Sequence, residues 1–518
     1  METQRSETIN STLVADASHY EALRRQHISD LLARMPENVK RVKWPVERIR
    51  EERQQRLRSL INVAKEKSPW HRDRLRDVDA DSFTEADLEK LPVMTKADLM
   101  ANFDQIITDK RLTLEMVNAH VSNLREDRYL LDEYHVIASG GTSGFRGVYV
   151  YDWDEWATST LSFRHAFLPI NPLLWRLLSF RPIGKGFVNS KTKKKKAGKP
   201  QSKGGAVSVY ADIASHMSHA VVNSLAYPFV DREYPATLSI REIVEGLNSV
   251  QPESLSAYPS ILYQLALEAR AGRLHIAPKR IASGAEPLLP HIRDAVRDTW
   301  GLSVTNFWVT SEGGCLSWSC GKGEGMHLNE DLQIVEVVDE NGNPVPPGTR
   351  SAKIYLTNLF NQTLPLIRYE ITDQVTLLAD EKCACGSNLH RIDDIQGRLE
   401  DMFSYQGGVI VHPVVFESVF EHYPSVVEYQ VRQTKHGVAI SLLTNGPVAL
   451  EQLERDVAEY LEKSGLHNPE VSARIVNRLE RTPGVAKLKR FVPLASNKPE
   501  MASPPSVMAW LLVSNKSI

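Results

Sequence analysis

With 518 residues the chain is too long for one ordinary hydrophobic core, so two or more domains are expected. Hydrophobic residues make up 42% and charged residues 24%, as in globular proteins, and a net charge of −2 offers no basic surface for nucleic acid or an anionic membrane. No apolar run reaches the length of a membrane span, and the start Met1-Glu2-Thr3-Gln4 has no apolar stretch of the kind a signal peptide needs. Four cysteines are too few for a disulfide scaffold, so a reducing cytoplasm is the expected compartment.

Residues 14–68 read as helical, with Leu31, Leu32 and Met35 at helical spacing and a second helix from Val46 to Ala64. Leu91 to Leu99 reads as an extended piece, an N-cap at Thr95 and then a helix. The stretch Ser139-Gly140-Gly141-Thr142-Ser143-Gly144-Phe145-Arg146-Gly147 lies between two β-rich pieces, 136–138 and 148–151, and so reads as strand, glycine turn, strand. Four glycines in residues 140–147 let backbone N–H groups converge without Cβ clashes, and the neighbouring hydroxyls add donors, which suits a polyphosphate. It is not a Walker A loop, because no Gly-Lys-Ser/Thr follows.

Residues 153–180 read as a helix, and the lysine-rich run 191–199, bracketed by glycines, as a solvated surface loop. Strand-like and helix-like pieces then alternate. Residues 255–258 precede Pro259 and a helix, 280–287 form a strand ending in Ser283-Gly284-Ala285-Glu286, and 304–308 form a strand ending in Trp308-Val309-Thr310-Ser311-Glu312. That alternation predicts an α/β architecture with a mostly parallel sheet, in which ligands lie beyond the carboxyl ends of the strands. After residue 325 the texture is a β meander. Residues 397–402 read as a boundary, and the last hundred or so residues as a small α/β piece closing on an exposed turn with Lys487, Lys489 and Arg490.

Taken in this order, the motifs resemble the adenylate-forming superfamily of acyl-CoA synthetases, adenylation domains and luciferases, nearest to the phenylacetate–CoA ligase and coenzyme F390 synthetase branch. The resemblance spans residues 50–495. It implies a large N-terminal domain (residues 1–397) of mixed sheets flanked by helices with a small β-subdomain, and a small mobile C-terminal α/β domain (398–518). It implies ATP and Mg²⁺ as cofactors and coenzyme A as the thiol. Ser139 to Gly144 match the phosphate loop, whose usual closing lysine is Gly147 here, with Arg146 beside it. Gly284, Ala285 and Glu286 match the adenine-flanking strand end, Trp308 the aromatic residue beside adenine, Ser311 the α-phosphate hydroxyl and Glu312 the Mg²⁺ carboxylate. Asp373 matches the ribose-binding carboxylate, Arg398 an arginine at the domain junction, Glu400 the hinge and Lys487 the lysine that stabilises departing phosphate charge. Tyr258, Pro259, Ala282, Phe307 and Trp308 are the candidates for the acyl pocket.

Cys320 and His327 in one glycine-rich loop, with Cys383 and Cys385 later, offer three thiolates and an imidazole, a donor set for a structural, closed Zn²⁺ site; Cys315 is a near substitute. Together these readings imply an ATP-dependent enzyme that adenylates a carboxylic acid, an aromatic one by the branch, and passes the acyl group to the coenzyme A thiol. Carrier-protein loading, amide formation and nitrite activation share every ATP motif and stay open, as does a nucleotide-binding scaffold without catalysis. No Gly-x-Ser-x-Gly elbow for a serine hydrolase stands out. The oligomeric state is open.

Overall fold

The computed structural model describes residues 17–123, 128–139, 147–163, 206–210, 232–235, 238–285, 288, 290–379, 382–393, 395, 403–411, 414–420, 422–423, 425–444, 446–477, 479–480 and 491–494. Residues 140–146, the run 191–199, Glu286, Arg398, Glu400, Lys487, Lys489 and Arg490 lie outside the described residues.

The helical N-terminus divides into Ala17–Lys40 and Val46–Lys67, joined by a 3-10 turn at Arg41–Lys43. The second helix buries Leu57, Leu60, Ile61 and Ala64, an i, i+3, i+4, i+7 stripe, against Leu88, Leu91, Ile334, Leu359 and Ile367. Strands β1 (His135–Ala138) and β2 (Val148–Tyr151) form an antiparallel hairpin with Ala138 opposite Val148. All eight of their residues are buried, as β-branched and aromatic side chains favour.

The central sheet has eight strands. In chain order they are β3 (Ala206–Tyr210), β4 (Arg232–Pro235), β5 (Ser254–Ala257), β6 (Arg280–Gly284), β7 (Val304–Thr310), β8 (Gly314–Trp318), β9 (Met326–Leu328) and, after a separate sheet, β13 (Arg391–Ile392). Their spatial order is β13-β9-β8-β7-β6-β5-β3-β4. The pairs from β4 to β7 are parallel, as the alternation with helices predicts. The crossovers are the helices Pro259–Arg270 and Pro290–Trp300, and Leu262, Leu265, Ile292 and Val296 pack with Ile281 and Val304 of the sheet. The remaining pairs, β7-β8, β8-β9 and β9-β13, are antiparallel, so the sheet is mixed. Strands β10 (Gln333–Val338), β11 (Lys353–Asn358) and β12 (Tyr369–Ile371) make the expected antiparallel meander between β9 and β13.

Beyond residue 402 a further core is built from residues between Phe403 and Phe491. Its sheet runs in the order Glu470–Ile475, Gly437–Thr444, Val426–Gln433, Phe491–Val492. The helix Leu450–Lys463 covers it with Leu453, Val457 and Leu461, spaced by one helical turn each.

Candidate active site and metal centre

The base of the glycine loop is closed by two hydrogen bonds. Ser139 N–H donates to the Gly147 carbonyl at 2.8 Å, and Gly147 N–H donates to Ser139 Oγ at 2.9 Å. A side chain at 147 has no room, since a Cβ there would stand 2.6 Å from Tyr149 Oη and 3.0 Å from Tyr149 Cζ. The glycine that replaces the expected lysine is therefore a steric requirement of this hairpin.

A lysine does reach the loop, from elsewhere. Lys96 Nζ donates to Ser139 Oγ at 3.4 Å. Its placement follows from its own segment. Met94 runs parallel to Tyr369 of β12, its N–H donating to the Arg368 carbonyl at 3.0 Å and its carbonyl accepting from Glu370 N–H at 2.8 Å. Thr95 then caps the helix Lys96–Ala101, as predicted. Thr95 Oγ accepts from Asp98 N–H, while Asp98 Oδ2 accepts from Thr95 N–H at 2.8 Å. Lys96 is thus the first residue of a helix hung between β12 and the loop. No sequence pattern signals this contact, because Lys96 and Ser139 are separated by 43 positions and no spacing rule joins them.

β2 ties the loop to Glu312. Tyr149 Oη donates to Glu312 Oε1 at 2.7 Å and lies 3.0 Å from Tyr369 Oη, and Tyr151 Oη donates to the Ser311 carbonyl at 2.6 Å. The Glu312 carbonyl accepts from Asn358 Nδ2 at 2.8 Å, which fixes the turn between β7 and β8 from the β11 side. Gly313 and Gly314 complete that turn. A Cβ at Gly313 would meet Leu316 at 2.5 Å, and Gly314 has φ 67°. Glu312 is buried, and its Oε2 accepts no hydrogen bond from the described residues. One carboxylate with an open oxygen beside a phosphate loop fits Mg²⁺, which takes one or two protein carboxylates and completes its shell with phosphate oxygens and water.

The adenosine-side residues also converge in part. Trp308 Nε1 donates to Asp373 Oδ2 at 2.9 Å, which joins the aromatic residue of β7 to the carboxylate two residues past β12. Ala285, the residue after β6, has φ 66°, a left-handed conformation that L-residues rarely adopt and that turns the chain at the strand's carboxyl end. The acyl-pocket candidates do not share one surface. Phe307 and Ala282 pack with Trp318 and Cys320 on one side of the sheet. Trp308, the next residue along β7, points to the other side, as strand alternation requires, and Tyr258 packs among the crossover helices.

At the β9-β13 edge the four predicted metal ligands meet. The ligand atoms of Cys320, His327, Cys383 and Cys385 all lie within 4.8 Å of one another. Cys320 Sγ is 3.5 Å from Cys383 Sγ, and Cys385 Sγ is 3.3 Å from His327 Nε2. Those separations are close to the ~3.8 Å tetrahedron edge that follows from metal–sulfur bonds of about 2.3 Å. His327 Nδ1 lies 3.3 Å from the Leu389 carbonyl, so it donates there and turns Nε2 into the cluster. Burial lowers the pKa of His327 to about 4, so the imidazole is neutral and able to ligate. Cys315 is not part of this group. It is buried in β8 with its Sγ on the Ser317 carbonyl at 3.4 Å, because its place on the strand directs it into the core.

No protein-family model matches the chain. A stretch of 201 residues, 37% of the chain, is 34% identical to phenylacetate-coenzyme A ligase of Thermus thermophilus and covers 44% of that ligase. Over 442 residues, 84% of the chain, it is 22% identical to protein CapK of Staphylococcus aureus and covers 87% of it. The chain spans less than half the length of the phenylacetate-coenzyme A ligases it matches. Among solved structures it resembles 2-hydroxyisobutyryl-CoA ligase in complex with 2-HIB-AMP and CoA, with a TM-score of 0.53 at 18% identity over 88% of this chain and 91% of that one. Its fold is thus shared with 2-hydroxyisobutyryl-CoA ligase. Over the shorter matched stretches it is similar to phenylacetate-coenzyme A ligases.

Proposed function

We propose that this chain is an acid–thiol ligase that activates a small carboxylic acid, an aromatic one, with ATP and transfers the acyl group to coenzyme A. The observation that carries the reading is the convergence, through Tyr149 and Tyr369, of the loop base at Ser139 and Gly147 with Glu312. The indole of Trp308 on Asp373 adds a paired ribose-and-base platform.

In the first half-reaction a carboxylate oxygen of the acid attacks the α-phosphorus, a new O–P bond forms, and the bond to the bridging oxygen breaks to release pyrophosphate. By the family resemblance Ser139 to Gly144 are the residues that would hold the β- and γ-phosphates, and the Lys96 ammonium stands at Ser139. Ser311 and Glu312 face the α-phosphate region, with Glu312 offering Oε2 to Mg²⁺, whose chemistry there is to neutralise phosphate charge. Asp373 accepts the ribose hydroxyls. By the family resemblance Lys487, supplied by a mobile domain of residues 398–518 that turns about Glu400 with Arg398 at the junction, adds positive charge as pyrophosphate departs. In the second half-reaction the thiol sulfur attacks the acyl carbon and AMP leaves. Cys320, His327, Cys383 and Cys385 would together hold a structural Zn²⁺.

The test is pyrophosphate release and ATP–pyrophosphate exchange over aryl, alkyl and amino-aryl acids, followed by thioester detection with coenzyme A. Acid-dependent exchange with an acyl-CoA product is expected. Absence of exchange with every acid sinks the enzyme reading, whereas AMP without an acyl-CoA product overturns only the acceptor. Metal analysis of protein purified without chelator is expected to find about one zinc per chain, and clearly substoichiometric zinc removes that assignment.

A further inference from the structure

We propose that Tyr149 is a positioning residue for Glu312, the end of a phenol relay running Tyr369 to Tyr149 to Glu312 that stands in this chain where a loop lysine would otherwise crowd. The proposal rests on Glu312 being the Mg²⁺ carboxylate.

The direction of the relay follows from counting protons. A carboxylate only accepts, so the single hydroxyl proton of Tyr149 goes to Glu312 Oε1 across 2.7 Å. Tyr149 Oη then has only lone pairs to offer Tyr369 at 3.0 Å, and Tyr369 must be the donor there. Both tyrosines are fully buried, their rings meet edge to face at 84°, and burial raises both phenols well above their ordinary range, so neither loses its proton in use.

The relay constrains the carboxylate closely. The backbone of Glu312 is held by Asn358, the preceding carbonyl by Tyr151, and one side-chain oxygen by Tyr149, which leaves Oε2 as the ligand oxygen. A phenylalanine would fill the same core volume, so packing alone does not call for the hydroxyl. The neighbouring glycine makes the same point from the other side. Any side chain at 147 would enter the space held by Tyr149 Oη, so this hairpin can carry a relay tyrosine or a residue with a side chain at 147, but not both without movement. The three relay groups come from β2, β12 and the β7-β8 turn, which are the elements that carry the phosphate loop, the ribose carboxylate and the metal carboxylate.

The experiment is ATP binding to the purified full chain by calorimetry, titrated with Mg²⁺, for the parent protein and Tyr149→Phe. Loss of the phenol is expected to raise the Mg²⁺ concentration for half-maximal ATP binding about tenfold, as losing a hydrogen bond to a charged group does. Affinity for the acid should stay within about twofold. In a Glu312→Gln background the same substitution should produce no further shift, because the group it positions is gone. A merely structural role would lower the melting temperature of Tyr149→Phe and leave the Mg²⁺ midpoint where it was. Gly147→Ala, which pushes on Tyr149 Oη without removing it, is the second variant and should move the midpoint in the same direction. An unchanged midpoint in well-folded Tyr149→Phe, or in Gly147→Ala where the first variant does not fold, overturns the relay and leaves the site reading standing. A parent protein that binds no ATP at any Mg²⁺ concentration overturns both.

Discussion

Glu312 and Lys96 reach the candidate site by different routes, and they differ in how far the sequence revealed them. Glu312 was readable because it follows a strand end, where an α/β sheet presents its ligands, and Asp373 only through the family resemblance. Lys96 and Tyr149 were not, because their roles exist only across separations of 43 and 163 positions. Gly147 was read as a departure in charge, and the structure makes it a matter of volume. Lys96 is the residue to test at this scale. Lys96→Met keeps the aliphatic stem and removes the ammonium. It is expected to raise the KM for ATP in the exchange assay about tenfold, equivalent to about 1.4 kcal/mol, while the KM for the acid changes little. An unchanged KM for ATP would leave Lys96 as a cap-region surface contact only.

Elements place these residues, and several were legible as elements. The N-cap at Thr95 was visible in the sequence, and helices were read after Pro259 and from Leu289, close to the crossover helices Pro259–Arg270 and Pro290–Trp300. What no pattern could show was the strand-like docking of Met94 on β12, nor the two- and three-residue strands β13 and β9, which are too short for any periodicity. Thr95→Ala tests how far the cap matters. It should cost about 1 kcal/mol in urea unfolding, the usual value of an N-cap side chain, and should weaken ATP binding by loosening the turn that carries Lys96. A stability loss with unchanged ATP binding would show that Met94 alone positions the segment.

At the scale of the whole molecule the buried histidines set a lower pH limit. His71 is fully buried with Nε2 donating to the Pro365 carbonyl at 3.0 Å, and burial lowers its pKa from 6.5 to about 4. His120 is lowered to about 4 for the same reason, and burial also holds His135, stacked on Trp156, well below its ordinary value. These groups bind protons more readily in the unfolded chain. Their contribution is neutral above about pH 6.5, and stability falls as pH drops from there toward 4, by up to about 1.4 kcal/mol per unit for each fully buried histidine. Urea midpoints measured at pH 7.5 and 5.5 should therefore differ, and His71→Phe, if it folds, should flatten the slope. Equal midpoints at the two values would mean that the imidazoles find proton-accepting partners on acidification. Among the described residues no helix is long and apolar enough to cross a membrane. Several separate hydrophobic clusters, one of them built from residues between Phe403 and Phe491, accord with the length of the chain, and limited proteolysis is the test of a separate domain at 398–518.

The Cys320 thiol and its partner Cys383 are 63 positions apart, with all of β10, β11 and β12 threaded between them. In the folded chain the four ligand atoms meet only because that intervening sheet folds back and β13 pairs with β9. An ion held by all four would shut the loop as a cross-link does and remove the routes by which the sheet edge could reopen. A zinc ion bound there would fasten the β9-β13 edge to the loop carrying Cys383 and Cys385.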